Sequence, residues 1–197
     1  GGLTINGSND DDIVTVDFSG GIPVPSRGIS FAGMGETTVG DTLVLQGGTS
    51  GSVSHVFSNG SDGSVTVDGG VISYSGLEPI NDNLAATDRT FSFGDTDDVV
   101  TLANDGASDN GLMTLSSVAS SETVIFTSSG SSLGILLGDG ADQLTVASLD
   151  TGFTGTLTLN GEGGDDVIDA SAIAVAVKQN GSAGNDTLVG GSADDTL

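Results

Sequence analysis

Leu157-Thr158-Leu159-Asn160-Gly161-Glu162-Gly163-Gly164-Asp165-Asp166-Val167-Ile168-Asp169 is the stretch that decides the fold. Leu157 and Leu159 alternate with polar residues, so both project from one face of a strand. A glycine-rich turn follows, where positive φ comes at little steric cost. It closes on Asp166, two residues before the apolar Ile168 of the next strand. The unit is strand, acidic turn, strand.

Working outward, the same unit recurs. Apolar pairs stand at Phe91/Phe93, Met113/Leu115, Ile135/Leu137, Leu157/Leu159 and Val175/Val177, with successive spacings of 22, 22, 22 and 18. Acidic closers stand at Asp98, Glu122, Asp142, Asp166 and Asp186, spaced 24, 20, 24 and 20, each two residues before an apolar one. Two landmarks marching at one period mark a repeat. About 22 residues hold short strands and turns but not a strand–helix–strand unit, which needs about 30. The reading is an all-β parallel β-helix, a β-solenoid with coils of about 20–24 residues, right-handed by the general crossover preference. It predicts two inward ladders: Phe93, Leu115, Leu137, Leu159 and Val177 on one wall, and Val100, Val124, Leu144, Ile168 and Leu188 on the other.

The N-terminal half is less regular. Residues 1–49 repeat the unit twice, in turns ending at Asp12 and Asp41, and are expected to form irregular coils. Residues 50–89 contain short strands joined by tight links, which predicts an antiparallel β-meander inserted into or capping the solenoid. Residues 90–197 are expected to be about five regular coils. The three segments read as one continuous domain, cut from a longer protein.

Composition narrows the function. The chain has 27 Asp plus Glu against Arg27, Arg89 and Lys178, a net charge of −24, and no cysteine. Nucleic acid and anionic membranes, which need Lys and Arg to neutralise phosphate, are excluded as partners. No run of 18 apolar residues is present, so no membrane-inserted helix is expected. Carboxylates recurring along one edge of a stack, about 5 Å apart, repel by roughly 3 kcal/mol at a surface dielectric. A cation relieves that repulsion, and calcium, with six to eight oxygen ligands in flexible geometry, suits it best.

The C-terminal turns sharpen this. Gly161 to Asp169, Gly181-Ser182-Ala183-Gly184-Asn185-Asp186-Thr187-Leu188-Val189 and Gly190-Gly191-Ser192-Ala193-Asp194-Asp195-Thr196-Leu197 resemble the haemolysin-type (RTX) calcium repeat Gly-Gly-x-Gly-x-Asp-x-apolar-x. Asp166, Asp186 and Asp195 fall on its Asp position. Glu162 and Ser182 replace its second Gly, and Ala193 the fourth-position Gly. The resemblance covers residues 159–197 and implies calcium between stacked turns, held by Asp carboxylates and main-chain carbonyls. The metal-site residues it implies are Gly161, Gly163, Asp165, Asp166, Gly181, Ala183, Asn185, Asp186, Asp194 and Asp195, with Asp139 and Asp142 of the looser turn 138–142. The competing reading is that such Asp and Asn residues only shape turns. That reading is preferred for Gly94 to Asp98 and for Glu122, and the Asp41 turn is left open between the two.

An enzyme is not expected. A lyase on acidic sugars needs a cationic groove, and three scattered basic residues do not make one. A hydrolase needs two carboxylates at a set separation, a test that 27 acids satisfy by chance. Tyr74 is the only Tyr or Trp available as a sugar platform, and His55 reads as an ordinary strand residue. The expected function is a calcium-binding, non-catalytic stalk or spacer in an extracellular, bacterial cell-surface or secreted protein. Calcium and neighbouring domains of the same chain are its expected partners. The alternative is an adhesive module meeting a surface glycan or protein through rows of Thr and Ser, ahead of a polysaccharide-degrading β-helix enzyme.

Overall fold

The computed structural model describes residues 1–35, 40–107, 109–118 and 123–197, and every regular element among them is a β-strand. Runs rich in Val, Ile, Leu, Thr and Phe, punctuated by Gly, Asn and Asp, form eighteen short strands. One sheet holds β1 (Leu3–Asn6), β3 (Ile29–Ala32), β5 (Thr49–Phe57), β6 (Gly63–Val67), β7 (Gly70–Ser75), β9 (Ala85–Ser92), β13 (Ser132–Leu136), β15 (Thr156–Asn160) and β17 (Val177–Asn180). The other holds β2 (Ile13–Asp17), β4 (Thr42–Gln46), β8 (Ile80–Asp82), β10 (Val99–Asn104), β11 (Leu112–Ser117), β12 (Val124–Thr127), β14 (Gln143–Val146), β16 (Val167–Asp169) and β18 (Thr187–Val189).

Both nine-stranded sheets are mixed. The first runs β1-β3-β7-β6-β5-β9-β13-β15-β17 and the second β2-β4-β8-β12-β11-β10-β14-β16-β18. Most neighbours are parallel; the antiparallel pairs are β5–β6, β6–β7, β10–β11 and β11–β12. The chain crosses between sheets at each remaining connection. One apolar core, with Leu43, Val65, Ile80, Leu102, Leu133 and Leu159 fully buried, fills the space between the sheets. Each such side chain contributes about 1.5–3 kcal/mol of burial.

The second expected ladder holds along most of its length. Val100, Leu144, Ile168 and Leu188 are successive register partners. Val124 leaves it, lying opposite Ile80 and Leu115 instead. The first ladder needs correction. Met113 and Leu115 belong to β11 in the second sheet, antiparallel to both neighbours. Leu159 lies opposite Ile135 rather than Leu137, and Val177 opposite Leu157. The physical cause is unequal step length: Ser132 follows Asp88, Thr156 follows Ser132 and Val177 follows Leu157, so steps of 44, 24 and 20 residues mimic a period of 22 once the first is counted as two. In the long step, the hairpins β10–β11–β12 stand where an extra coil was expected.

Tight links at Ser58–Asp62 and Asp68–Gly69 join β5, β6 and β7 as antiparallel neighbours, as their brevity requires. β8 and β9, inside the expected meander segment, instead pair in parallel with β4 and β5. Glu122 lies outside the described residues.

Candidate metal site

Every described connection from the first sheet to the second ends on an acid in one register. Asp12, Asp41 and Glu78 stand two residues before Val14, Leu43 and Ile80, which are aligned partners. Asp98, Asp142, Asp166 and Asp186 stand likewise before Val100, Leu144, Ile168 and Leu188. The turns stack as well: Asp139 bridges Gly163, and Gly163 bridges Ala183.

Stacking explains the glycines. A Cβ on Gly161 would lie 2.1 Å from Asp166 Oδ2, and one on Gly181 would lie 2.2 Å from Asp186 Oδ2. The carboxylate occupies the space a side chain would need, so the first motif position must be bare. Gly140, Gly164 and Gly184 stack at φ of 151°, 124° and 147°. A Cβ on Gly164 would fall 1.6 Å from the carbonyl oxygen of Gly140, and one on Gly184 1.6 Å from that of Gly164. Glu162 and Ser182, the departures from the repeat, hold φ of 72° and 71°, beside 91° at Gly138. The left-handed turn survives without glycine there, at about 1–2 kcal/mol for each residue.

The carboxylates form a ladder. The Asp98 backbone N–H donates to Asp142 Oδ1 at 2.7 Å, that of Asp142 to Asp166 Oδ1 at 3.0 Å, and that of Asp166 to Asp186 Oδ1 at 3.0 Å. An outer rung runs beside it, with Ala141 N–H on Asp97 Oδ1 at 2.9 Å and Asn185 N–H on Asp165 Oδ1 at 2.8 Å. The second oxygens of Asp142 and Asp166 are buried and have no hydrogen-bond partner. Burial pushes the Asp142 carboxyl up to about 6, against the stabilising Asp98 N–H and with the charges of Asp98, Asp166 and Asp97 adding to the rise. Burial raises Asp166 too, opposed by the Asp142 N–H and helped by the charges of Asp186 and Asp165.

The expected residues divide between two edges. Asp142, Asp166 and Asp186 form the ladder; exposed Asp139, Asp165, Ala183 and Asn185, with half-buried Gly163, flank it. Asp194 and Asp195 lie in the turn from β18 back to the first sheet, on the opposite edge. There Asp195 Oδ1 accepts the Val177 N–H at 3.0 Å, and Thr196 bridges Lys178. Nine residues carry the chain along β18, from the turn that enters the second sheet to the turn that leaves it, so the motif moves to the other edge.

The polar groups on this edge that a cation could use are carboxylate and main-chain carbonyl oxygens. No three His, Asp or Glu side chains converge as a metal group among the described residues. Carboxylate and carbonyl do lie close together: Asp166 Oδ2 and the carbonyl oxygen of Gly181 in the next turn both close on the Cα of Gly161, at 2.1 Å and 2.9 Å from where a Cβ would stand. Carbonyl and carboxylate oxygens with no nitrogen or sulfur are the donor types that hard divalent cations take.

A second polar cluster was not read from the sequence as a group. His55, Asp82 and Arg89 sit in the core with no exposed surface. His55 Nε2 lies 3.0 Å from Asp82 Oδ2, and Arg89 Nε donates to the same oxygen at 2.9 Å. Arg89 also donates to the carbonyls of Thr127 and Leu84 and stands over the Phe126 ring, 5.3 Å from its centre. Burial lowers the His55 pKa, with the Arg89 charge assisting and Asp82 opposing. Burial alone would raise the Asp82 carboxyl, but Arg89 and His55 outweigh it and hold it below the usual range. The available signal was strand phase: Arg89 stands in phase with inward Phe91, and His55 with inward Val53 and Phe57. Comparison with protein-family models, with curated proteins and with solved structures finds no match to this chain.

Proposed function

We propose that this chain is a non-catalytic, calcium-stabilised β-solenoid module, serving as a stalk or spacer in an extracellular or bacterial cell-surface protein. The solenoid reading is supported by the regular alternation of strands between two facing sheets, with hairpins β5–β6–β7 and β10–β11–β12 as excursions from it. The observation that carries the calcium reading is the pair of buried, unpartnered oxygens on Asp142 and Asp166. A buried carboxylate oxygen without a donor must take a proton or a cation. Near neutral pH outside a cell, calcium is the abundant choice. Its binding would couple ordering of the turns to export.

The test is a thermal melt with calcium, with a strong chelator, and with magnesium as control. Calcium at 100 times its Kd adds about 2.7 kcal/mol per site, about 5–11 °C in a chain of this size. The rise should be calcium-selective and should shrink in Asp166→Asn and Asp186→Ala. An unchanged melting temperature refutes the calcium reading. An adhesive role has one feature in its favour: Ser54, Thr90, Gly134, Thr158 and Lys178 align in one column of the first sheet. A chelated sample that stays folded and still binds a glycan or protein surface would favour adhesion over metal-dependent architecture.

A further inference from the structure

The edge that carries Asp142, Asp166 and Asp186 continues into the N-terminal half, where no nonapeptide is found. There Asp41 is fully buried. Its Oδ1 accepts the Asp12 N–H at 2.7 Å, and its Oδ2 has no hydrogen-bond partner. The point where a Cβ on Gly33 would sit is 2.3 Å from Asp41 Oδ2 and 2.3 Å from the carbonyl oxygen of Gly76 in the following turn. Both oxygens therefore close on the Cα of Gly33, near enough to each other to share one ion, and Oδ2 has no N–H or O–H donor. One turn earlier a Cβ on Gly7 would lie 2.4 Å from the Gly33 carbonyl oxygen and 2.8 Å from Asp12 Oδ2, but that oxygen already accepts the Ser8 N–H at 2.6 Å and the Ser8 hydroxyl at 3.0 Å. The ion pairs among the described residues all involve Asp82, so no basic side chain neutralises Asp41.

We propose that Asp41, with the Gly76 carbonyl and the adjoining oxygens of Asp12 and Gly33, forms a second site for a hard divalent cation, with calcium as its ligand. Carboxylates and main-chain carbonyls alternate along this edge, which suits an ion that accepts both in flexible geometry. A buried carboxylate facing a carbonyl repels it, and a bound cation reverses the sign of that interaction. The site shares its chemistry with the C-terminal turns but none of their residues. It would stand even if those turns bound nothing.

Tyr74 makes the site testable by itself. It is the only Tyr, in a chain without Trp, and it precedes Gly76 by two residues. The Asp166 turn follows β15, five strand positions away in the same sheet, or about 24 Å at the usual strand spacing. Terbium, a luminescent calcium substitute, should emit through Tyr74 when bound at Asp41 and hardly at all when bound at Asp166. The expected result is tyrosine-sensitised emission from the wild-type protein, displaced by calcium, lost in Asp41→Asn and kept in Asp166→Asn. Calorimetry should show Asp41→Asn losing one calcium, with circular dichroism confirming its fold. Absence of sensitised emission in the wild type, its persistence in Asp41→Asn, or its loss in Asp166→Asn would overturn the proposal. Loss of calcium sites in Asp166→Asn with the tyrosine signal intact would support both sites, and an unchanged calcium count in Asp166→Asn would count against the C-terminal reading alone.

Discussion

Replacing Arg89 by Met probes the buried cluster that ties the two sheets together. Met keeps much of the side-chain length and removes the charge. Asp82 Oδ2 would lose the Nε donor now at 2.9 Å, and the carbonyls of Leu84 and Thr127 would lose theirs. Removing one member of a buried ion pair costs about 3–5 kcal/mol, because the other charge stays behind. For a chain of this size that lowers the melting temperature by about 6–20 °C. The pH dependence makes the prediction specific. In the wild type the folded-state His55 pKa is lowered, so the unfolded chain takes the proton first as pH falls through about 6.5, and this contribution to stability is lost. In the variant the repulsion from Arg89 is gone and Asp82 lacks a cation, so His55 takes up the proton in the folded state. The cost of the substitution should therefore be largest at pH 7.5 and smaller at pH 5.5. Urea denaturation followed by circular dichroism at both pH values measures it. A loss below about 1 kcal/mol at pH 7.5, or one that grows on acidification, would refute the reasoning.

Other outcomes follow from the ladder and its turns. The folded-state pKa of Asp142 is raised to about 6, so its contribution in calcium-free protein is fully present below about 3.8 and lost as pH rises through about 6. Asp142→Asn should flatten that part of the melting-temperature profile between pH 4 and 7, and a profile identical to wild type would count against a buried, protonated Asp142. Calcium should raise the melting temperature more at pH 8 than at pH 5.5, because protons compete for the same oxygens; the opposite order would separate the metal from the ladder. Gly164→Ala places a Cβ 1.6 Å from the Gly140 carbonyl oxygen at φ of 124°, whereas Gly69→Ala, at φ of 87°, meets nothing within 4 Å. The first should cost about 3 kcal/mol or more and the second about 1. Equal losses in urea denaturation would show that stacking of the turns contributes nothing.

Local chemistry made part of this molecule legible from its residues. Asp98, Asp142, Asp166 and Asp186 each precede an inward apolar residue by two. Strand alternation then places those acids at one register and aligns Val100, Leu144, Ile168 and Leu188. Short links between β5, β6 and β7 dictated antiparallel pairing before any long-range contact was considered. Tertiary structure decided the rest, because several answers share one spacing. Two steps of 22 residues and one of 44 look alike to a count, and only the pairing of Leu115 with Leu102 and Val124 places β11 in the second sheet. Asp186 and Asp195 read as equivalent motif positions, yet β18 runs between them and puts them on opposite edges. Strand phase could direct His55 and Arg89 inward, but Asp82 meets them from the other sheet. A charge buried that way is tolerable only because packing brings its partner to 2.9 Å, and no local pattern encodes which strand will stand opposite.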